Sequence, residues 1–253
     1  MTVPSTRAHL LGRRTSLGLA AAVVVGLVAL VVLALVVAPP DVNQGDAQRI
    51  MYIHVPMAWI AYLAFGITSF ASALYLFPKT RSLTWDRLAG ASAEVGVVFI
   101  GLALFTGSVW GRPTWGVWWT WDARLVTTAV LFFLYIGYLA LRRVPGTYEQ
   151  RAKRAAIAGL IAFVDVPIVH KSVEWWRTLH QEATVLRPDP QIEGIMAYTL
   201  LFAVIVFTAF FVWLLDQRFR VAAMEDALAD ADLDLAIAER VASADRPTAG
   251  VNQ

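Results

Sequence analysis

Long apolar runs separated by short polar and basic segments make up most of the chain. Each run reaches or approaches the ~20 residues that a helix needs to cross a hydrocarbon core of about 30 Å. The pattern predicts six transmembrane helices, at Leu17–Val37, Val55–Phe77, Gly90–Trp110, Leu125–Leu141, Ala155–Val169 and Gly194–Leu215. The fourth and fifth runs are short, and the fifth is alternatively a re-entrant or tightly packed helix. We therefore predict an all-α integral membrane protein.

The predicted helices form one membrane domain, residues 1–215, and the remainder, residues 216–253, has a different character. This tail is rich in alanine and acidic residues, and its apolar residues are too irregular for a clean stripe. We expect a solvated, loosely helical cytoplasmic tail whose residues after Ser243 are disordered. The alternative is a docking segment for a partner. The first apolar run follows arginines, as in a signal sequence, but it is long and lacks a cleavage pattern, so we interpret it as a retained span.

The distribution of lysine and arginine predicts the orientation in the membrane. If the N-terminus is cytoplasmic, most of these residues lie on the inner side, including Arg142 and Arg143 in one loop and Arg218 and Arg220 after the last span. This agrees with the positive-inside rule. We therefore expect both termini in the cytoplasm and a tryptophan-rich loop on the outer face.

Composition excludes several classes of function. The chain is 58% hydrophobic and 16% charged, whereas soluble domains have about a quarter charged residues. It contains no cysteine, which excludes disulfides, thiolate metal sites and covalent CxxCH attachment of haem. No basic patch interleaved with aromatics indicates nucleic-acid binding. No Walker motif or nucleophile elbow is found, so we do not expect an ATPase or other enzyme.

The densest cluster of unusual residues is the predicted loop at residues 111–124, GRPTWGVWWTWDAR, which we call the tryptophan loop. It contains Trp115, Trp118, Trp119, Trp121 and Asp122. One interpretation is an interfacial aromatic belt, since tryptophan favours the headgroup region. The other is a platform for a flat aromatic ligand, because indoles offer a wide apolar surface at low entropy cost. If the loop is helical, Trp115, Trp118, Trp119 and Asp122 share a face.

Two histidines flank the tryptophan loop on the predicted outer side. His54 precedes Pro56, and a proline in the first turn of a helix needs no backbone partner, so we place His54 at a helix entrance. His180 follows Trp176 by four residues, and on a helix the two would share a face. Two neutral imidazoles from separate loops can ligate haem iron axially, whereas zinc usually has three or four ligands. His170 is either a third ligand or a structural residue.

Charged residues near these motifs have two interpretations each. Arginine binds carboxylates well, so Arg112, Arg124 and Arg177 are either contacts for the propionates of a haem or solvated loop cations. Trp175 and Trp176, beside Arg177, are secondary candidates for the same site.

Two carboxylates fall inside the predicted spans, where such groups tend to be functional or paired. Glu94 lies two helical turns after Arg87 and is expected to pair with it. Asp165 lies near the outer end of its span and alternatively faces water.

Three segments resemble a known family. WGVWWTWDAR resembles the WWD signature of haem-handling membrane proteins. Together with VEWWRTLHQ and MYIHVPMAW, it resembles the haem exporter protein C (CcmC) family of cytochrome c maturation proteins over roughly residues 15–215. The WWD signature alone is shared with haem lyase subunits of the CcmF and CcsA types, which are longer or lack the LHQ segment.

The resemblance implies a function and a set of partners. It implies non-covalent haem b bound over the tryptophan loop at the outer face of the cytoplasmic (inner) membrane, with His54 and His180 as axial ligands. It also implies delivery to the periplasmic haem chaperone CcmE, and work alongside the ABC transporter subunits CcmA and CcmB and the small subunit CcmD.

Two other classes of membrane protein are alternatives to a haem-handling protein. A haem b electron-transfer subunit would usually carry its ligating histidines within the spans, rather than in loops at one face. A secondary transporter would show broken helices and repeat symmetry at the midplane. The sequence favours a haem-binding transfer platform without an ATPase of its own.

Overall fold

The structure is a computed structural model that describes residues 9–181, 192 and 194–244. The regular secondary structure of the described part is helical, without a strand. The helices are α1 (Arg13–Val32), α2 (Met51–Leu76), α3 (Leu83–Trp115), α4 (Ala123–Arg142), α5 (Tyr148–Phe163), α6 (Asp165–Trp175) and α7 (Gly194–Ala244). A π-helical turn, Leu33–Val37, extends α1, and a 3-10 turn, Asp46–Ile50, leads directly into α2.

The prediction of six membrane-spanning helices is confirmed for the described residues, although several boundaries were wrong. Six helical segments are long and apolar enough to cross a membrane, and the protein is a multi-pass membrane protein. The third span runs well beyond both ends of the predicted Gly90–Trp110. The fifth is not short, because α5 and α6 follow each other with a break at Val164 and together provide 28 residues.

Local sequence explains where these helices begin and end. The Ser82 hydroxyl caps α3 by accepting from the Thr84 amide, and Thr147 and Gln150 form a capping box at the start of α5, as such side chains satisfy the free amides of a first turn. Gly116 ends α3 with a φ of +79°, a conformation that glycine adopts without strain. The non-helical part of the tryptophan loop is therefore only residues 116–122.

The core lies between α2, α3, α4, α5 and α7. The ring of Phe65 stacks on Tyr135 with centroids 3.6 Å apart, and the helices approach closely at Gly96, where a Cβ atom would lie 2.6 Å from Phe65. In contrast, α1 exposes valines such as Val24 and Val28 and packs mainly on α7. Such an exposed apolar surface is suited to lipid.

The end of the bundle opposite the tryptophan loop is held by ion pairs. Arg142 binds both carboxylate oxygens of Asp86, at 2.7 and 2.9 Å, and the Tyr148 hydroxyl donates to the same carboxylate at 2.8 Å. Glu94 accepts from Arg218 of α7 at 3.0 Å. The expected Glu94–Arg87 pair was wrong, because α7 supplies a partner to each residue: Arg218 binds Glu94, and Asp226 binds Arg87.

The tail from residue 216 continues α7 without a break as far as Ala244. Its first turns contact the bundle, where Arg87 binds Asp226 at 2.8 Å, while apolar residues from Leu228 onward are exposed. The tail is thus a continuous helix over 216–244. Disorder was expected for the residues after Ser243; Ala244 is helical, and residues 245–253 lie outside the described residues.

Candidate functional site

Four segments meet at one end of the bundle: the first turns of α2, the last turns of α3, the tryptophan loop and residues 176–181, which we call the His180 segment. Trp110 of α3 contacts the ring of His54, with centroids 5.7 Å apart, and Trp115 contacts the ring of His180 at 6.3 Å. Trp110 and Trp115 both belong to the last turns of α3, so His54 and His180 lie at the same end of this helix. The structure therefore brings together the three motifs that are widely separated in sequence.

His54 lies within α2, not in a loop before it. The 3-10 turn at Asp46–Ile50 starts the helix earlier than predicted, so Pro56 falls in the second turn of α2. The Nδ1 atom of His54 lies 3.1 Å from the hydroxyl of Thr106 on α3. The imidazole is partly buried and is held between two helices, at the end of the bundle rather than at its middle.

His180 lies outside any helix. The predicted helical face shared with Trp176 was wrong, because α6 ends at Trp175 and Trp176 has an extended backbone. The Nδ1 atom of His180 is 2.9 Å from the carbonyl oxygen of Gln181, and its amide donates to the Thr178 hydroxyl at 3.0 Å. Burial, and then the nearby positive charge of Arg124, lower the pKa of His180, so its imidazole is neutral at pH 7.

Asp122 joins the tryptophan loop to the His180 segment. It caps α4 by accepting from the Arg124 amide at 2.9 Å, and it also accepts from the Thr178 hydroxyl at 2.8 Å and the Leu179 amide at 2.7 Å. Burial alone would raise the pKa of its carboxyl, but these hydrogen bonds outweigh burial and lower it. Because its side chain is 7% exposed and fully engaged, Asp122 orients the two segments.

The predicted helical face of Trp115, Trp118, Trp119 and Asp122 does not form, since Gly116 ends the helix after Trp115. Trp115 is partly buried against His180. The other three indoles are exposed: Trp118 at 58%, Trp119 at 39% and Trp121 at 84%. The loop is fixed to α3 where Ser108 donates to the Trp118 carbonyl at 2.6 Å. Large indoles are thus held on the surface of the loop that follows Trp115, whose own ring contacts His180.

The three candidate arginines differ in their engagement. Arg112 donates to the Gly116 carbonyl and so reinforces the end of α3. Arg124 donates to the carbonyls of Val169 and His170, both at 3.1 Å, and so ties α4 to α6. Arg177 lines an open cleft at the foot of the tryptophan loop, and the other lining residues are Trp121, Ala123, Val126, Thr127 and Trp176. Arg177 is therefore the arginine best placed for a ligand.

The secondary candidates lie at the edge of this region. Trp175 and Trp176 are exposed and contact each other edge to face at 5.8 Å. His170 is an exposed residue of α6, one turn before the end of that helix. Asp165 is buried, so the alternative that it faces water was wrong. Its Oδ2 atom has no hydrogen-bond partner among the described residues.

Sequence reasoning missed the residues of α3 that hold His54. Thr106 contacts its Nδ1 atom, Gly107 lies against its ring, and Trp110 covers its edge while donating to Gln44 at 2.8 Å. The spacing of a threonine and a tryptophan by one helical turn was visible. It carried no signal without knowing that α2 packs against this face of α3.

The arrangement offers two nitrogen ligands beside flat apolar surface. Among the described residues, no three His, Asp or Glu side chains lie together as a metal site, and there is no cysteine. A zinc ion usually has three or four protein ligands, more than the two histidines supply. Two imidazoles on opposite sides of a planar macrocycle suit haem iron, and exposed indoles suit the macrocycle itself, so the residues present fit a haem.

Comparison with known proteins is consistent with this chemistry. The family model described as heme exporter protein C matches residues 1–233. A protein of that name from Bradyrhizobium diazoefficiens is 41% identical over 183 residues, covering 70% of this chain and 67% of the relative. Another, from Haemophilus influenzae, is 37% identical over 197 residues, covering 78% and 79%.

A plant relative extends the comparison. A putative cytochrome c biosynthesis ccmC-like mitochondrial protein from Arabidopsis thaliana is 36% identical over 188 residues, covering 74% of this chain and 70% of the relative. Since the family model covers most of the chain and the relatives match two thirds or more of it, the chain belongs to the heme exporter protein C family.

Proposed function

We propose that this protein binds haem b as a cargo, without covalent bonds, at the outer face of the cytoplasmic membrane and transfers it to the periplasmic chaperone CcmE. It does so as the haem-handling subunit of an ABC-type complex with CcmA, CcmB and CcmD. Membership of the family supports a role in haem handling for c-type cytochrome biogenesis. The observation that carries the proposal is the meeting of His54, His180 and the exposed indoles at one end of the bundle.

Each part of the site has a role in holding the cargo. His54 and His180 supply the two axial nitrogens, and the lowered pKa of His180 keeps its ring neutral and able to ligate. Trp118, Trp119 and Trp121 cover the macrocycle. Arg177, in the cleft, binds a propionate, since guanidinium groups pair well with carboxylates.

Release follows from how differently the two histidines are mounted. His54 is built into α2 and packed on α3. The His180 segment is not helical, and its hydrogen bonds to Asp122 hold it in place. Breaking a few hydrogen bonds costs less than displacing a packed helix. We therefore expect His180 to leave the iron first when the chaperone takes the haem.

The experiment that tests this function is transfer of haem to purified CcmE. The parent and the variants His54→Ala, His180→Ala and His170→Ala are loaded with haem, and covalent haem on CcmE is measured. His170 is a matched control, because it is an exposed histidine in the adjacent α6. We expect loss of retention and delivery for His54→Ala and His180→Ala, and parental behaviour for His170→Ala. Full retention and delivery by both site variants would overturn the assignment of the ligands.

Electron transfer is the competing function. Its ligating histidines would usually lie within the spans, and His54 does lie within α2, so the sequence-based argument against electron transfer holds only for His180. The same preparations distinguish the two functions. If quinol rapidly reduces the bound haem and CcmE does not acquire it, the protein is an electron carrier and the proposal fails.

The proposed orientation has its own test, which the absence of cysteine makes simple. Single substitutions Val117→Cys, in the tryptophan loop, and Lys79→Cys, between α2 and α3, are treated with a membrane-impermeant maleimide on spheroplasts. We expect labelling at residue 117, and at residue 79 only after lysis. The reverse pattern would place the haem site on the cytoplasmic side.

A further inference from the structure

The packing of His54, a residue of α2, against α3 determines which of its two ring nitrogens is free to bind iron. This inference rests on the proposed function. Thr106 lies beside the ring and has one hydroxyl proton. That hydroxyl donates along its own helix to the Leu102 carbonyl at 2.8 Å. Towards the Nδ1 atom of His54, 3.1 Å away, Thr106 then offers a lone pair and acts as an acceptor.

The Thr106 hydroxyl also lies 3.3 Å from the Ala103 carbonyl, a second backbone acceptor on the same helix. A carbonyl oxygen only accepts hydrogen bonds, so both carbonyls direct the hydroxyl proton along α3. Thr106 therefore presents a lone pair to His54, which favours a proton on Nδ1 and a free lone pair on Nε2.

Gly107 provides the space for this arrangement. A Cβ atom at position 107 would lie 2.9 Å from Cε1 of His54, closer than side-chain atoms approach each other. Trp110, one turn after Thr106, contacts the ring from the side. The ring is thus confined between a hydrogen-bond acceptor, a glycine and an indole, so its rotation is restricted.

We infer that Thr106 and Gly107 form a seat that positions His54 as an Nδ1-protonated imidazole, so that Nε2 ligates the iron. The Nδ1 atom of His180 also faces an acceptor, the Gln181 carbonyl at 2.9 Å, so this ring is protonated on Nδ1 as well. A second hydrogen bond of this kind fixes the tautomer of a metal-binding histidine and strengthens it as a ligand. Thr106 is therefore a positioning residue that acts through His54.

The tautomer is measured first, without haem. Full-length protein with ¹⁵N-labelled histidine is reconstituted in nanodiscs, and the His54 signals are assigned by their loss in His54→Ala. We expect the Nδ1-protonated form in the parent and in Thr106→Ser, which keeps the hydroxyl. Thr106→Val keeps the shape but removes the acceptor, and it should show a mixture of tautomers. An Nε2-protonated parent, or a Thr106→Val spectrum equal to the parent, would overturn the inference.

Haem retention is measured next with the same variants. Hemin is bound, and its rate of transfer to apomyoglobin and its midpoint potential are recorded. Loss of such an outer hydrogen bond typically weakens metal binding about 10- to 100-fold, so we expect transfer faster by that factor for Thr106→Val, a shifted potential, and recovery in Thr106→Ser. Gly107→Ala should displace the ring and abolish the six-coordinate spectrum although Thr106 is intact.

Matched controls separate the seat from general destabilisation. Thr199 also donates from its hydroxyl to the carbonyl four residues earlier, at 2.7 Å, and Gly66 has open space around its Cα. Thr199→Val and Gly66→Ala should behave as the parent. If these controls lose hemin as fast as the seat variants, Thr106 and Gly107 have only a structural role. A parent that binds no hemin would refute the proposed function, while the tautomer spectrum would still decide the seat.

Discussion

Replacing Asp122 by asparagine should release the His180 segment while leaving the fold intact. In the parent, Oδ1 of Asp122 accepts from the Arg124 amide and the Thr178 hydroxyl, and Oδ2 accepts from the Leu179 amide. Asparagine has one oxygen. If it serves Arg124 and Thr178, its NH₂ group faces the Leu179 N–H, and two donors oppose each other.

The magnitude follows from the bond that is lost. A hydrogen bond to a charged group contributes about 1.5–3 kcal/mol, so about 2 kcal/mol is a reasonable value for the Leu179 contact alone. Since about 1.4 kcal/mol changes an equilibrium tenfold, the segment should open roughly 30-fold more often. Asp122→Ala removes all three acceptors and should have a larger effect.

Hydrogen exchange of the backbone amides is the direct assay. We expect faster exchange at residues 176–181 in Asp122→Asn and unchanged exchange in the core of α2 and α3. Asp46→Asn is the control, because Asp46 is an exposed carboxylate that pairs with Arg49, three residues along the same turn. Equal protection of the Leu179 amide in parent and Asp122→Asn would refute the role given to Asp122.

The pH dependence of the same contact has a definite sign. The folded pKa of Asp122 is below its ordinary value of 3.8, so the stabilisation is fully present above that value and is lost as pH falls through the lower folded pKa. Protection of the Leu179 amide, corrected for intrinsic exchange, should therefore persist down to pH 4 and decline only below it. A decline centred above pH 4 would contradict the assignment.

Two further predictions concern stability, measured as thermal unfolding in detergent. Gly96→Ala should overpack the contact of α3 with α2 and cost about 1–3 kcal/mol of stability. Gly66→Ala, where the added methyl group meets open space, should be neutral or slightly stabilising. Equal effects of the two variants would refute the close approach of α2 and α3 at Gly96. Asp86 is buried and its partner Arg142 is partly buried. Asp86→Asn should therefore cost about 3 kcal/mol by removing the counter-charge of Arg142, whereas Glu149→Gln, at an exposed pair, should cost at most about 1 kcal/mol. Similar losses in both would contradict the buried network.

The presence of the six helices was predictable, because a helix that crosses a bilayer requires a long apolar run. The residues at which the helices begin and end were not predictable. The polar GRPTW sequence indicates a loop, yet α3 includes it up to Trp115, because Gly116 supplies the helix-ending conformation only there. His54 was placed outside α2 because the 3-10 turn that begins the helix earlier has no apolar pattern.

The contacts that build the site depend on tertiary packing, which one sequence does not reveal. Asp122 was recognisable as a helix cap, but its bonds to Thr178 and Leu179 span more than 50 positions. Thr106 resembles any other helical threonine until α2 is packed against it. The pairing of Glu94 with Arg218 instead of Arg87 arises in the same way, from the position of α7.

The central claim is that His54 and His180 together hold a haem. The most direct measurement is the absorption spectrum of the protein purified from haem-replete membranes, beside the double variant His54→Ala/His180→Ala. We predict a haem in the parent that acid acetone extracts and that has a six-coordinate, low-spin spectrum, and its loss or visible change of ligation in the double variant. A double variant with the parental spectrum and haem content, or a parent that stays colourless even after reconstitution with hemin, would contradict the account.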